Sequence, residues 1–183
     1  MSDFAKRETK SIIRLYVEPA LAEGQTVEVS KDQAHYLVNV MRAKLETEVL
    51  LFNGRDGEWL ASLTDISKRS VSITCRTQTR AQTSEPDVWL CFAPLKRART
   101  DYMVEKASEL GVGKIWPVMT QRTNADRIKQ DRLQAHALEA AEQCERLSVP
   151  EVADASKLDA MLTRIAQEGR ELLFCDEDLS GQS

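Results

Sequence analysis

The sequence predicts two units in series: a small β-barrel carrying one helix, then a largely parallel α/β domain. Three observations predict it. Short runs that alternate apolar and polar residues recur through residues 12–77, which is the pattern of strands with one buried face. Residues 77–86, TQTRAQTSEP, contain no large apolar side chain and so read as a connection between units. After them, apolar strands alternate with stretches of helical periodicity, the order of β-α-β construction. The chain accordingly divides into a flexible leader at 1–11, a barrel at 12–77, a linker at 78–86 and an α/β domain at 87–183.

Residues 12–17 place Ile13, Leu15 and Val17 on one face and Arg14 and Tyr16 on the other, a strand with a single buried side. A short strand at 26–29 comes next. Ser30 with Gln33 three residues on makes a capping box. The helix it opens buries Ala34, Leu37, Val38 and Met41, and its other face carries His35, Asn39 and Arg42. Residues 48–52 are a strand, 53–57 (NGRDG) a turn rich in residues that tolerate positive φ, and 59–66 and 70–76 the returning strands.

In the second unit residues 88–92 form a strand that Pro94 breaks. Lys96, Arg97 and Arg99 then crowd three cations into a loop. The helix after it, residues 100–110, sets Met103, Ala107 and Leu110 on one face, and Gly111 caps it. Residues 112–118 are the next strand, parallel to the first because a helix joins them. In open sheets of this kind ligands bind beyond the carboxyl ends of the strands. The loops at 95–99 and 119–124 lie there, and both are basic and polar. Residues 131–146 form a helix lined by Leu133, Ala137, Ala140, Ala141, Cys144 and Leu147, ended by Pro150. A short strand at 151–153, a helix at 158–166 capped by Gly169, and an apolar strand at 171–175 complete the reading.

The totals set limits. Apolar residues are 42% of the 183, enough for a real core, and the net charge of −4 rules out a globally basic protein. Nucleic acid would be met through local patches. The four cysteines are widely separated and form no ligand cluster with histidine, so no metal site is expected. The polar N-terminus has no apolar signal core and no run reaches membrane-spanning length. The protein therefore reads as soluble, reduced and cytoplasmic, with no membrane partner. GxGxxG, Walker and GxSxG motifs do not occur, and neither histidine has a triad partner at diagnostic spacing.

Taken by themselves, Lys96, Arg97, Arg99 and Arg122 are either a phosphate-binding group, whose grip would weaken with salt, or solvated loop residues. Gln143 and Arg146, three apart on a helix, either hold a base edge or phosphate, or Arg146 simply pairs with Glu142 at the surface.

Four longer stretches sharpen the choice. HYLVNVMRAK (35–44), LFNGRDGEW (51–59), KRARTDYMVEKASELGVGKIWPVMTQRT (96–123) and EAAEQCERLSVPEV (139–152) resemble, in order and spacing, the RsmE family. These are 16S ribosomal RNA uridine-N3 methyltransferases of the SPOUT, or α/β-knot, class. The resemblance implies a PUA-like barrel that helps hold RNA and a knotted domain that binds S-adenosylmethionine and forms a homodimer. It implies methylation of N3 of a uridine in the 16S rRNA of the small ribosomal subunit. Arg14, His35, Arg42, Lys96, Arg97, Arg99, Lys106, Glu109, Arg122, Gln143 and Arg146 fall on the family's motif positions, and the resemblance implies that they line the RNA cleft or support the knot; all but Lys106 and Glu109 are expected to contact RNA. Cys175, Asp176 and Glu177 would form the first of the loops that face the cofactor.

Two departures stand out. Asn53 occupies a hairpin position where the family usually has Asp. The family's Gly-Pro-Glu-Gly-Gly loop and Leu-Arg-x-Glu-Thr segment, which thread the knot, are absent from these 183 residues. No residue stands out as a general base. A non-catalytic RNA-binding or ribosome-assembly module is the alternative. A plain metabolic α/β enzyme is a weaker one, without a nucleotide loop or triad to support it.

Overall fold

The computed structural model describes residues 12–67, 70–123 and 128–175; the expected leader, residues 1–11, lies outside them. The first half is a five-stranded sheet with strand order β1-β3-β4-β5-β2, built from β1 (Ile13–Tyr16), β2 (Thr26–Glu28), β3 (Glu48–Phe52), β4 (Glu58–Ile66) and β5 (Val71–Arg80). β1 runs parallel to β3, and the other pairs are antiparallel. Every strand gives side chains to one core, among them Leu15, Val27, Val49, Leu51, Leu63, Val71 and Ile73. Register shifts between β4 and β5 bend the sheet round it, since an unpaired residue sharpens local twist.

The capping box forms with both arms: Ser30 Oγ accepts from the Gln33 amide and Gln33 Oε1 accepts from the Ser30 amide. Helix α1 (Lys31–His35) then widens into a π-helical turn, Tyr36–Val40. That extra residue per turn rotates the chain beyond it. Leu37 is buried as expected, but Met41 is exposed, and Arg42 leaves the turn at φ 54°. The single helical face expected for His35, Asn39 and Arg42 is therefore interrupted.

The second half is built on three parallel strands in the order β6-β7-β8: β6 (Trp89–Phe92), β7 (Lys114–Met119) and β8 (Glu151–Val152). A further two-residue strand, β9 (Ser156–Lys157), pairs with the end of β7. Helices α2 (Arg97–Glu109) and α3 (Gln130–Gln143) pack on one face around Val104, Ala107, Ile115, Leu133, Ala137 and Val152. Helix α4 (Leu158–Gln167) covers Trp116 and Val118 on the other. The buried stripe of α2 is Thr100, Val104, Ala107 and Ser108, not the expected Met103, Ala107 and Leu110. The helix begins three residues earlier than periodicity suggested, and Leu110 lies exposed at its capped end. Residues 171–175, expected as a strand, are not one: Leu172, Leu173 and Phe174 are exposed.

The two halves meet at the end of α3. Its last turn leaves backbone carbonyls without partners in the helix. Arg14, from β1, donates to the carbonyls of Ala141 at 2.9 Å and of Arg146. Arg80, from β5, donates to the carbonyl of Glu145 at 2.9 Å. Two cations thus cap the negative end of a helix dipole. Glu58 holds Arg14 at 2.7 Å, and the Arg14 guanidinium lies 3.8 Å over the Phe52 ring. Arg146 turns the other way, to the carbonyls of Ser108 at 2.6 Å and Val112 at 3.1 Å and to Glu85 at 2.9 Å. The stretch read as a linker is therefore pinned, and its first residues, up to Arg80, belong to β5.

This junction can be tested in two ways. Arg14→Ala leaves Glu58 buried without its close partner and should cost roughly 3–5 kcal/mol, measured by chemical denaturation. Glu142 accepts the Tyr16 amide at 2.9 Å, and burial pushes its carboxyl above the ordinary range. Folding thus favours the protonated form. This contribution is whole below the ordinary carboxylate pKa and is lost as pH rises through the raised one. Glu142→Gln keeps the acceptor without the charge. It should melt higher than the parent at pH 8, with the gap closing towards pH 4.

Candidate nucleic-acid interface

The carboxyl ends of β6 and β7 are where the chain leaves its cations unmatched. After Phe92 the backbone passes buried Pro94 and turns sharply into α2. The Thr100 hydroxyl fixes this turn: it accepts from the Leu95 amide and donates to the Leu95 carbonyl, both at 3.0 Å. Lys96 becomes the residue that caps α2, and Arg97 and Arg99 fall in its first turn rather than in a loop. No acidic residue accompanies them there. Cations at the positive end of a helix dipole oppose local stability, and together with free first-turn amides they favour an anion.

The loop after β7 supplies the opposing wall. Thr123 Oγ1 accepts from the Thr120 amide at 2.8 Å, and the Thr123 amide donates to the Thr120 carbonyl at 3.2 Å. This closes a turn that carries Arg122. Between the two loops lies a cleft of about 300 Å³ lined by Pro94, Leu95, Lys96, Arg99 and Arg122. Among the described residues, no carboxylate pairs with Lys96, Arg97, Arg99 or Arg122. Other described cations in this half are matched: Lys106 with Glu105 and Glu109, Lys114 with Glu151, Arg132 with Asp101, Arg164 with Glu168 and Arg170 with Asp87.

Two further cations stand at the same end. β9 pairs with β7 so that Lys157 lies beside Met119, and Lys129 precedes α3. Neither has a carboxylate partner among the described residues. Sequence reasoning missed both. Their signal was a lysine directly before each helix that comes after a strand, but only the β7–β9 register places Lys157 next to the Arg122 loop.

The remaining sequence candidates separate. His35 is exposed on α1, its Nδ1 2.9 Å from Asn39 Nδ2, and Arg42 is exposed beyond the π-turn. Gln143 is exposed at the end of α3. Arg14 and Arg146 are not presented to a ligand: they are only 9% and 8% exposed, and their guanidinium groups are engaged by Glu58, Glu85 and backbone carbonyls. Arg146 does not pair with Glu142 either, because the helix ends at Gln143 and the chain turns inward through Glu145 at φ 62°. Cys175 is exposed and lies in no helix or strand, and Asp176 and Glu177 lie outside the described residues. No cluster of His, Cys, Asp and Glu suited to a metal occurs among the described residues.

The family model for an RNA methyltransferase domain matches residues 83–182, and that for an RNA methyltransferase PUA domain matches residues 29–74. A ribosomal RNA small subunit methyltransferase E from Rickettsia conorii is 33% identical over 138 residues, 75% of this chain and 57% of that protein. Its Synechocystis counterpart is 28% identical, over 88% of this chain and 54% of that one. The chain thus spans little more than half the length of these curated relatives. The solved methyltransferase E of Neisseria gonorrhoeae, bound to S-adenosyl methionine, is 26% identical with a TM-score of 0.73, over 82% of this chain and 64% of that one. A Legionella pneumophila protein solved with the same cofactor shares the fold, at a TM-score of 0.79 and 24% identity over 93% of this chain and 72% of that one.

If the cleft grips phosphate, Arg99→Gln and Lys157→Gln should each weaken binding of single-stranded RNA uniformly across sequences. Each should also lower the slope of log affinity against log salt by about 1, read by fluorescence anisotropy. Arg164→Gln, at a matched surface cation, should leave both unchanged.

Proposed function

From the premise that this chain belongs to the RNA methyltransferase domain family, we propose that it is the RNA-holding part of an S-adenosylmethionine-dependent enzyme that methylates N3 of a uridine in 16S ribosomal RNA. The observation that carries the reading is the cleft at the strand ends, lined by Lys96, Arg99 and Arg122 with no carboxylate to neutralise them among the described residues. Polyanion recognition requires such a surplus. Phosphate contacts there, with Arg97, Lys129 and Lys157 nearby, would set the register of the RNA, while base contacts select the nucleotide. The exposed His35, Arg42 and Gln143 are further RNA contacts in this reading. Arg14 and Arg146 serve it by holding the two halves together.

Methylation at N3 requires loss of the uracil N3 proton, which passes to solvent where no protein base takes it. Loss of that proton puts negative charge on the uracil carbonyl oxygens, and unneutralised cations stabilise charge that develops there. S-adenosylmethionine is the donor we propose, the molecule bound in the Neisseria relative. Cys175 is exposed and lies in no helix or strand, and we assign no donor contact to the described residues. Their part is to bind and orient the RNA.

The α/β knot, a homodimer and a cytoplasmic location belong to the same proposal. Exposed Leu158, Leu162, Leu172, Leu173 and Phe174 offer apolar surface in the half where such a dimer would form, and no described helix is long and apolar enough to cross a membrane.

The test is transfer of a labelled methyl group from S-adenosylmethionine to small ribosomal subunits by the full-length protein. The modified nucleoside is then identified by mass spectrometry. N3-methyluridine in 16S rRNA is expected, with Lys96→Ala and Arg122→Ala raising KM for RNA more than they lower kcat. RNA binding without transfer would favour the non-catalytic module instead.

A further inference from the structure

We propose that the π-turn of the N-terminal half is a platform for an unpaired RNA nucleotide, its base on the Tyr36 ring and its phosphates on Arg42 and Lys44. The inference rests on the RNA reading above and specifies what kind of RNA the N-terminal half takes.

Within ten residues the chain exposes Tyr36 at 39%, Val40 at 57%, Met41 at 37% and Leu45 at 58%. Single exposed apolar side chains are ordinary, but four on one turn and its exit form a patch, and patches mark contacts. The Tyr36 ring has no aromatic neighbour, and its hydroxyl has no hydrogen-bond partner among the described residues. Lys31, Arg42 and Lys44, all exposed, flank or interleave with these residues in the chain, and none pairs with a carboxylate among the described residues. The acids nearby do not cancel them. Glu46 is taken by Arg76 at 2.5 Å, so of the acids within residues 31–46 only Asp32 stands against the three cations.

The backbone is held in an uncommon shape to present this patch. A π-turn interrupts the helix, and both Arg42 and Glu46 sit at positive φ, 54° and 64°. That region is costly for residues with a Cβ. Such features persist where the surroundings over-determine them and gather at functional sites.

Charge selects RNA as the occupant, and the apolar centre selects the kind of RNA. A duplex offers phosphates and 2′-hydroxyls and keeps its bases stacked, so it has nothing for Tyr36 or Val40 to cover. An unstacked nucleotide offers a π-face for the ring, with phosphates a few ångströms away for the cations.

The test uses the full-length protein and fluorescence anisotropy with two probes, single-stranded oligouridylate and an RNA hairpin whose stem is fully paired. Tyr36→Ala should weaken oligouridylate binding about tenfold, the scale of one lost stacking contact, with melting temperature unchanged. Tyr36→Phe should restore it to within about twofold, since the ring rather than the hydroxyl does the stacking. Lys44→Gln should reduce the salt slope by about 1. Hairpin binding should be weaker and indifferent to Tyr36. Oligouridylate binding unaffected by Tyr36→Ala would overturn the platform, as would equal losses on both probes. Loss of a ribosomal-protein contact in pull-down, with RNA binding intact, would assign the patch to a protein. Absence of RNA binding by the parent protein would instead overturn the RNA reading on which the inference rests.

Discussion

Everything in this molecule turns on how the C-terminal end of α3 is satisfied. A helix that stops inside a protein leaves carbonyls that must find donors; here the Arg146 amide takes the Ala141 carbonyl at 3.1 Å, and donors from the other half of the chain join it there and at the residues just past the helix. Arg14 and Arg80 reach them from the first sheet, while Glu58 and the Phe52 ring hold Arg14 in place. Arg146 ties the same exit to α2 and to Glu85 in the connecting segment, and Ser148 adds a bond to Glu85 at 2.8 Å. Buried charge pairs of this kind add little to stability over apolar packing. Removing one partner is costly, however, because the other is left buried and unpaired. Their effect is to allow one arrangement of the two halves and penalise others.

The latch and the cleft lie at opposite ends of the second sheet. α3 leaves the carboxyl end of β7, where the cleft is, and runs back to the start of β8. Its 14 residues separate the two by about 21 Å at 1.5 Å per residue. The chain thus treats its cations in two ways. Those that build are buried or paired, and those at the strand ends and round the π-turn are exposed and left without carboxylates among the described residues. The second group costs stability, most plainly at the start of α2, where three positive charges face the positive end of a dipole. A protein keeps such a conflict between local and global preference where a partner relieves it.

This division explains what the sequence could show. Strand alternation, the Ser30–Gln33 box, the Gly111 cap and the parallel β6–β7 pair are local signals, and each appears in the structure with its expected partners. The basic loops were legible because the order β-α-β dictates where loops fall. What local signals could not supply was the direction of a long side chain. Arg14 sits on a strand face opposite the core residues, which reads as surface until α3 packs against that face. Arg146 comes after a helix whose last residues turn inward through a left-handed Glu145, and nothing in the periodicity announces that turn. The extra residue of the π-turn escaped for the same reason. It shifts Met41 outward by a fraction of a turn that a 3.6-residue repeat cannot register. Lys157 needed a two-residue strand to place it, too short to leave a pattern.

The hairpin after β3 shows how tightly the latch constrains sequence nearby. Gly57 sits at φ 76°, and a Cβ there would lie 2.2 Å from the Arg80 carbonyl oxygen, so the backbone that positions Arg80 tolerates no side chain. Gly54 faces Leu147 and Ser148 at 3.8 Å, just past the α3 exit. Between β3 and Gly54, Asn53 occupies the position where the resemblance leads one to expect Asp, and its neighbours account for the difference. Its amide donates to the Pro19 carbonyl at 3.0 Å and to Asp56 at 2.6 Å, while its Oδ1 accepts from the Arg55 and Asp56 amides at 3.0 and 2.9 Å. That amide hydrogen bond is the largest of the effects holding the Asp56 carboxyl below its ordinary range. A carboxylate at position 53 could still accept the two backbone amides. It would have nothing to donate to Pro19 and would set a second negative charge against Asp56. The hairpin keeps its shape with Asn because the Asn53 amide donates to Asp56, the acid at the centre of the turn network, which also accepts the Leu21 amide at 2.9 Å.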